Sequence, residues 1–236
     1  MLSICSKKIP KIIIALDYSD INKALQLVLQ LDPKIYRLKI GKKMFLYFGK
    51  KWIVQLHNLG FDVFLDLKFH DIPNTVFGAV KAAADLGVWM ISVHTCGGSK
   101  MLQAAKKALQ DFKQHPPLLI GITILTSFTK NDLQEIGINH SMTDHILLLS
   151  HLAKKCGLNG VVCSGKQANH VKNLLGVNFQ VITPAIRLIN DLSNDQNQTI
   201  TPQLIKKYKI DYIVVGRSIT ESKNPIKKLK NIVSCL

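Results

Sequence analysis

The sequence predicts an α/β fold, a closed (β/α)₈ TIM barrel, on three observations. Short runs rich in β-branched residues recur eight times along 236 residues. Helical patterns fall between them, at about 30 residues per unit, which is the signature of parallel βαβ units. No G-x-G-x-x-G follows the first run, as a doubly wound dinucleotide-binding sheet would require. Eight is the number of strands that closes such a barrel, with the active site at the C-terminal strand ends.

The strands are read in order at 11–16 (KIIIAL), 35–40 (IYRLKI), 62–67 (DVFLDL), 89–94 (WMISVH), 118–125 (LLIGITIL), 160–163 (GVVC), 179–182 (FQVI) and 211–215 (DYIVV). Among the helices, 20–31 places Ile21, Ala24, Leu25 and Val28 on one face, with Ser19 or Asp20 as N-cap. Residues 74–86 carry Val76, Val80, Ala83 and Ala84 and stop at Gly87, a C′ position. Residues 143–156 and 165–175 follow the same pattern, each ending at a glycine. No linker, low-complexity segment or change of composition interrupts the series, so 1–236 reads as one domain.

Composition narrows the function. Apolar residues make up 47% of the chain, enough for a large core. No apolar run reaches the roughly 18 residues of a membrane span. The lysines ahead of "IPKIIIALD" faintly resemble a signal peptide. That stretch is short, lacks a small-residue cleavage site and runs into Asp17, so it reads as the first strand. Cys5, Cys96, Cys156, Cys163 and Cys235 form no close pair, which suggests reduced thiols and a cytoplasmic location. No HExxH or Cys/His cluster suggests a metal site. The net charge of +16 raises nucleic-acid binding as an alternative. The basic residues are almost all lysine and scattered, so solvated faces and biased residue usage account for them better. A positive field remains suited to steering an anionic substrate.

The chemistry concentrates in "FLDLKFHDIPNTV", residues 64–76. Strand alternation puts Asp66 and Lys68 on one face, with Leu65 and Leu67 on the other. Lys39 ends the neighbouring second strand. Asp71 lies in the loop before Pro73, which can open the next helix. A Lys–Asp–Lys–Asp array at one rim follows. Opposite neighbours favour each other's charged forms, which suits Lys68 as a proton donor better than as a Schiff-base nucleophile. A structural salt-bridge network is the plainer alternative.

A second signal lies in the arginines, of which there are three. Arg187 follows the seventh strand in "TPAIR", and Arg217 follows the eighth in "VVGRS", the loops with which barrels hold phosphate. Gly216 allows close backbone approach. The polar stretch 188–201 between them, with Gln196, reads as a surface loop or a lid over ligand. Thr126 and Ser127 end the fifth strand and can hydrogen-bond a polar ring or make an ordinary turn. His94 ends the fourth strand and could act as a catalytic base, but with no orienting partner in the sequence it is read as structural. Arg37 shares the face of Lys39 and receives no role.

These residues together resemble the orotidine 5′-monophosphate decarboxylase family over nearly the whole chain. The match is carried by "ALD" (15–17), "RLKIG" (37–41), "DLKFHDIPNT" (66–75), "LTS" (125–127), "TPAIR" (183–187), "DQ" (195–196) and "VGR" (215–217). The resemblance implies a homodimeric barrel that converts orotidine 5′-monophosphate (OMP) to uridine 5′-monophosphate (UMP) without metal or organic cofactor. It implies that Lys39, Asp66, Lys68 and Asp71 form the catalytic tetrad, with Lys68 protonating C6. Asp71 and Thr75 would act in the partner's site. Asp17 and Lys39 would hold the ribose, Thr126 and Ser127 the pyrimidine edge, and Arg187, Gln196, Gly216 and Arg217 the phosphate. Ala185, Asn197 and Ser218 depart from the family's usual Gly, Arg and Pro. A Mg²⁺-dependent sugar-phosphate decarboxylase or synthase of the same superfamily, sharing a D-x-K-x-x-D core, is the related alternative.

Overall fold

Eight parallel strands close into a barrel, each bonded to the next in sequence and β8 to β1. The computed structural model describes residues 11–184, 205 and 207–235. The strands are β1 Lys11–Leu16, β2 Tyr36–Gly41, β3 Val63–Phe69, β4 Met90–His94, β5 Leu118–Ile122, β6 Gly160–Val162, β7 Gln180–Thr183 and β8 Tyr212–Val215. Each expected strand is present. The fifth ends at Ile122 rather than at 125, because the chain bends away after Thr123. The Thr123 hydroxyl donates to the Val162 carbonyl at 2.8 Å, so a side chain takes over where the ladder stops.

Alternation divides each strand between two cores. Ile13, Ala15, Phe64, Met90, Ile120, Ile182, Tyr212 and Val214 fill the barrel interior. Ile12, Ile14, Leu16, Leu38, Ile40, Val63, Leu65, Ile91 and Val93 face outward into the layer shared with the helices. Parallel strands covered on both sides must be apolar on both faces, which is why they read as continuous apolar runs.

The helices α1 Ile21–Val28, α2 Lys42–Asn58, α3 Pro73–Asp85, α4 Gly98–Lys107, α5 Lys130–Glu135, α6 Met142–Lys155 and α7 Gly165–Leu175 pack outside. Asp20 caps α1, accepting from the Asn22 N–H at 2.9 Å. Pro73 stands at the first turn of α3, where its missing N–H costs nothing. Gly87 follows α3 at φ 75°, a left-handed position that glycine adopts without strain.

Two charged pairs brace the end of the barrel away from the C-terminal strand ends. Arg37, paired with the inward Ile13 at the N-terminal end of β2, meets Asp62 at 3.3 Å and lies 5.3 Å over the Trp89 ring. It plugs the barrel floor. The buried Lys172 ammonium, on α7, contacts Asp211 at 2.6 Å and donates to the Val177 and Phe179 carbonyls. Asp211 also accepts from the Val181 N–H at 2.7 Å, tying α7, β7 and the start of β8 together. With its donors satisfied, that lysine is structural.

Candidate active site

At the opposite rim the inward face of the strands changes from apolar to charged. The β2–β3 register pairs Lys39 with Phe64 and Gly41 with Asp66, which sets Lys39 and Asp66 just above the inner core. Asp66 is buried, and its two oxygens face different partners. Oδ2 meets the Lys68 ammonium at 2.7 Å and the Lys39 ammonium at 3.3 Å. Oδ1 accepts from the Ser92 hydroxyl at 2.8 Å. Burial is the largest single influence on the Asp66 carboxyl and pushes its pKa up. Lys39, Lys68 and the hydrogen bonds from Lys68 and Ser92 together outweigh it and hold the pKa below the usual carboxylate range. Asp66 is therefore ionised at neutral pH, between two ammonium groups.

The strand is irregular at this point. Its register against β4 shifts between Leu65 and Phe69, and Lys68 has φ 52°. Bulges of this kind re-aim side chains beside active sites. The freed Lys68 N–H donates to Ser92 Oγ at 2.9 Å. Ser92 is fully buried on β4 and was not among the residues read from the sequence. The available signal was a small polar residue in the apolar run "WMISVH".

The other candidates ring this cluster. Asp17 lies just beyond β1. A Cβ built on Gly41 would stand 3.3 Å from Asp17 Oδ1 and 3.6 Å from the Lys39 ammonium, so both groups converge beside that glycine. Thr126 and Ser127 occupy the middle of a turn after β5, closed by the Phe128 N–H on the Leu125 carbonyl at 2.9 Å. Gly216 follows β8 and caps a short helix, Arg217–Thr220, whose first residue carries an exposed guanidinium. His94 ends β4 with its ring 5.4 Å from that of His70. Burial chiefly, then His70, Lys68 and Lys42, lower its pKa to about 4 against a smaller opposing pull from Asp66, so it is uncharged at neutral pH.

One subunit thus brings together three of the four expected tetrad members. Asp71 is exposed, accepts only from the Ile72 N–H at 2.6 Å, and forms no ion pair among the described residues. Thr75 is exposed on the first turn of α3. Arg187, Gln196, Ala185, Asn197 and the stretch 188–201 lie outside the described residues. Ser218 is half-buried in the short helix after β8. Among the described residues no group of three or more His, Cys, Asp or Glu is placed to hold a metal ion. Nor is any helix among them long and apolar enough to cross a membrane.

Ionised groups gathered at the C-terminal mouth of a closed parallel barrel define a (β/α)₈-barrel enzyme. The model of the orotidine 5′-phosphate decarboxylase / HUMPS family matches residues 10–232. A relative from Buchnera aphidicola subsp. Schizaphis graminum, named orotidine 5′-phosphate decarboxylase, is 58% identical over 236 residues and covers 100% of both chains. One of the same name from Buchnera aphidicola subsp. Acyrthosiphon pisum (strain 5A) is 60% identical over 227 residues, 96% of each chain. The crystal structure of orotidine 5′-phosphate decarboxylase from Lactobacillus acidophilus superposes with a TM-score of 0.85 at 33% identity, covering 96% of this chain and 99% of that one. The chain belongs to this family, and it is an enzyme, a carboxy-lyase.

Proposed function

We propose that the protein decarboxylates OMP to UMP, the last step of UMP synthesis, with Lys68 as the proton donor. The observation that carries this reading is the Lys39–Asp66–Lys68 array, ionised and held at the barrel mouth. In the step, the bond between C6 and the carboxylate carbon breaks and CO₂ leaves. The electron pair stays on C6 and takes a proton from the Lys68 ammonium. Solvent then returns a proton to the lysine.

A carbanion-like centre is poorly stabilised by the ring alone, so a fixed ammonium ion beside it lowers the barrier directly. Asp66 faces the substrate carboxylate, and their repulsion eases as that charge departs. Asp17 and Lys39 take the ribose hydroxyls, and Thr126 and Ser127 the edge of the base. Gly216 and Arg217, joined by Arg187 and Gln196, take the phosphate. Binding energy from that remote group organises the reacting end. The reaction draws on no metal or organic cofactor. Its setting is the cytoplasm.

The working unit is a homodimer in which Asp71 and Thr75 enter the partner's site and complete the tetrad. The exposure of Asp71, Ile72 and Thr75 on the isolated subunit supports this, Ile72 being an apolar side chain 66% exposed. A spectrophotometric assay with OMP, with and without a chelator, tests the proposal. Turnover that survives the chelator is expected. No turnover of OMP, or its loss on metal removal, would favour the Mg²⁺-dependent alternative.

A further inference from the structure

The apolar strand β4 carries one fully buried hydroxyl on its inward face, Ser92. Its Oγ makes two hydrogen bonds, both to the proposed machinery. It accepts from the Lys68 N–H at 2.9 Å and donates to Asp66 Oδ1 at 2.8 Å. Because β3 slips against β4 between Leu65 and Phe69, the Lys68 N–H needs a partner from outside the regular ladder, and Ser92 provides it. Lys68 at φ 52° is in a region that a residue with a Cβ rarely occupies, so its backbone needs such an anchor. On the other side, fixing Oδ1 fixes the plane of the Asp66 carboxylate. That plane aims Oδ2 at the Lys68 ammonium, 2.7 Å away.

We infer that Ser92 is a positioning residue for the decarboxylation: one hydroxyl holds both the backbone of the proton donor and the carboxylate that grips its ammonium group. The inference rests on the proposed role of Lys68. Without the hydroxyl, the carboxylate is free to rotate and the backbone of Lys68 can relax toward extended geometry, swinging its side chain off the inward face. A misplacement of about 1 Å in a reacting group can cost about 10²-fold in rate.

Ser92→Ala, Ser92→Thr and Lys68→Ala enzymes, assayed beside the wild type for kcat, KM, UMP affinity and the pH profile of kcat, test this. For Ser92→Ala, kcat should fall about 10- to 100-fold while UMP affinity stays within about threefold, since positioning acts on the reacting end. Ser92→Thr, which keeps the hydroxyl, should recover most of the rate. In Ser92→Ala the acid limb of the kcat profile should move to higher pH, because Asp66 loses a donor to its charged form. If the alanine variant does not fold, Ser92→Cys, with a weak donor of similar size, takes its place under the same criteria.

A kcat within about twofold of wild type, with Lys68→Ala inactive, overturns the role of Ser92 alone. Equal loss of kcat and UMP affinity, or a folded threonine variant as slow as the alanine one, also overturns it. An active Lys68→Ala enzyme instead overturns the reading beneath it.

Discussion

Replacing Asp66 by Asn removes the carboxylate that both Lys39 and Lys68 contact within the subunit. The side chains differ little in size, so the change is electrostatic. Lys39 and Lys68 both contact Oδ2, at 3.3 and 2.7 Å. An amide nitrogen placed there would present a donor to donors, and its oxygen could serve only part of the need. At a separation of about 5 Å and an effective dielectric near 20, two unit charges repel by about 3 kcal/mol. Breaking a buried pair by removing one partner costs roughly 3–5 kcal/mol. Lys68 and Lys39 retain 28% and 12% side-chain exposure, so water relieves part of that cost, and a loss of about 2–3 kcal/mol is expected. For a domain of this size that is roughly 4–12 °C in Tm.

Urea denaturation at pH 7, at low and high salt, reads the loss, which added salt should reduce only slightly for a largely buried site. The pH dependence supplies a second signature. The folded-state pKa of Asp66 is depressed, so its contribution is fully present above the ordinary carboxylate pKa. It begins to fall as pH drops through the ordinary carboxylate range near about 4 and is gone only below the depressed folded-state pKa. The wild type and Asp66→Asn should therefore approach each other in stability as pH is lowered from about 4 and converge only below that folded-state value. A destabilisation below about 1 kcal/mol at neutral pH would refute the reasoning, because it would mean that the two lysines do not depend on Asp66 for their placement.

Arg217→Ala should weaken OMP and UMP binding by about 1.5–3 kcal/mol, the value of a charge-assisted hydrogen bond, and leave a phosphate-free nucleoside analogue unaffected. Equal weakening of both in a titration would contradict the phosphate assignment. Mixing inactive Lys68→Ala and Asp71→Ala subunits should restore activity through hybrid dimers, each holding one site with both groups intact. No recovery, once subunit exchange is demonstrated, would place Asp71 in its own subunit's site. The depressed pKa of His94, about 4, means that the unfolded chain takes up a proton before the folded one does. Its contribution is present above about pH 6.5 and is lost as pH falls toward 4. His57 and His145 are depressed in the same direction, chiefly by burial, so the wild type should lose stability across this window. His94→Asn should lose less over the same range in parallel denaturation series. An unchanged slope would count against an uncharged, half-buried His94.

The barrel was legible because both faces of a covered parallel strand must be apolar, and runs such as "KIIIAL" and "MISV" can serve nothing else. The boundaries of β5 were not, because the apolar pattern of "GITIL" continues past the point where the Thr123 hydroxyl replaces the ladder. The helix α2 was harder to see. Gly49, at φ 60°, interrupts it with a kink, which breaks the period that marks an amphipathic helix. In the site, two-residue alternation correctly put Asp66 and Lys68 together, and the rim position of Lys39 followed from strand order. What alternation cannot express is the bulge that gives Lys68 its left-handed backbone, nor the cross-strand hydroxyl of Ser92, 24 residues away, that secures it. Asp71 shows a different limit. That it is exposed and makes no ion pair with the cluster within one subunit depends on where the loop before Pro73 points, and no local pattern encodes that direction.

The proton carried by Lys68 is tested most directly by Lys68→Ala, assayed for UMP formation and, separately, for UMP binding and melting temperature. The account predicts a folded enzyme that still binds UMP and yields no measurable product from OMP. Turnover within about tenfold of the wild type, equivalent to less than about 1.4 kcal/mol of barrier, would contradict it.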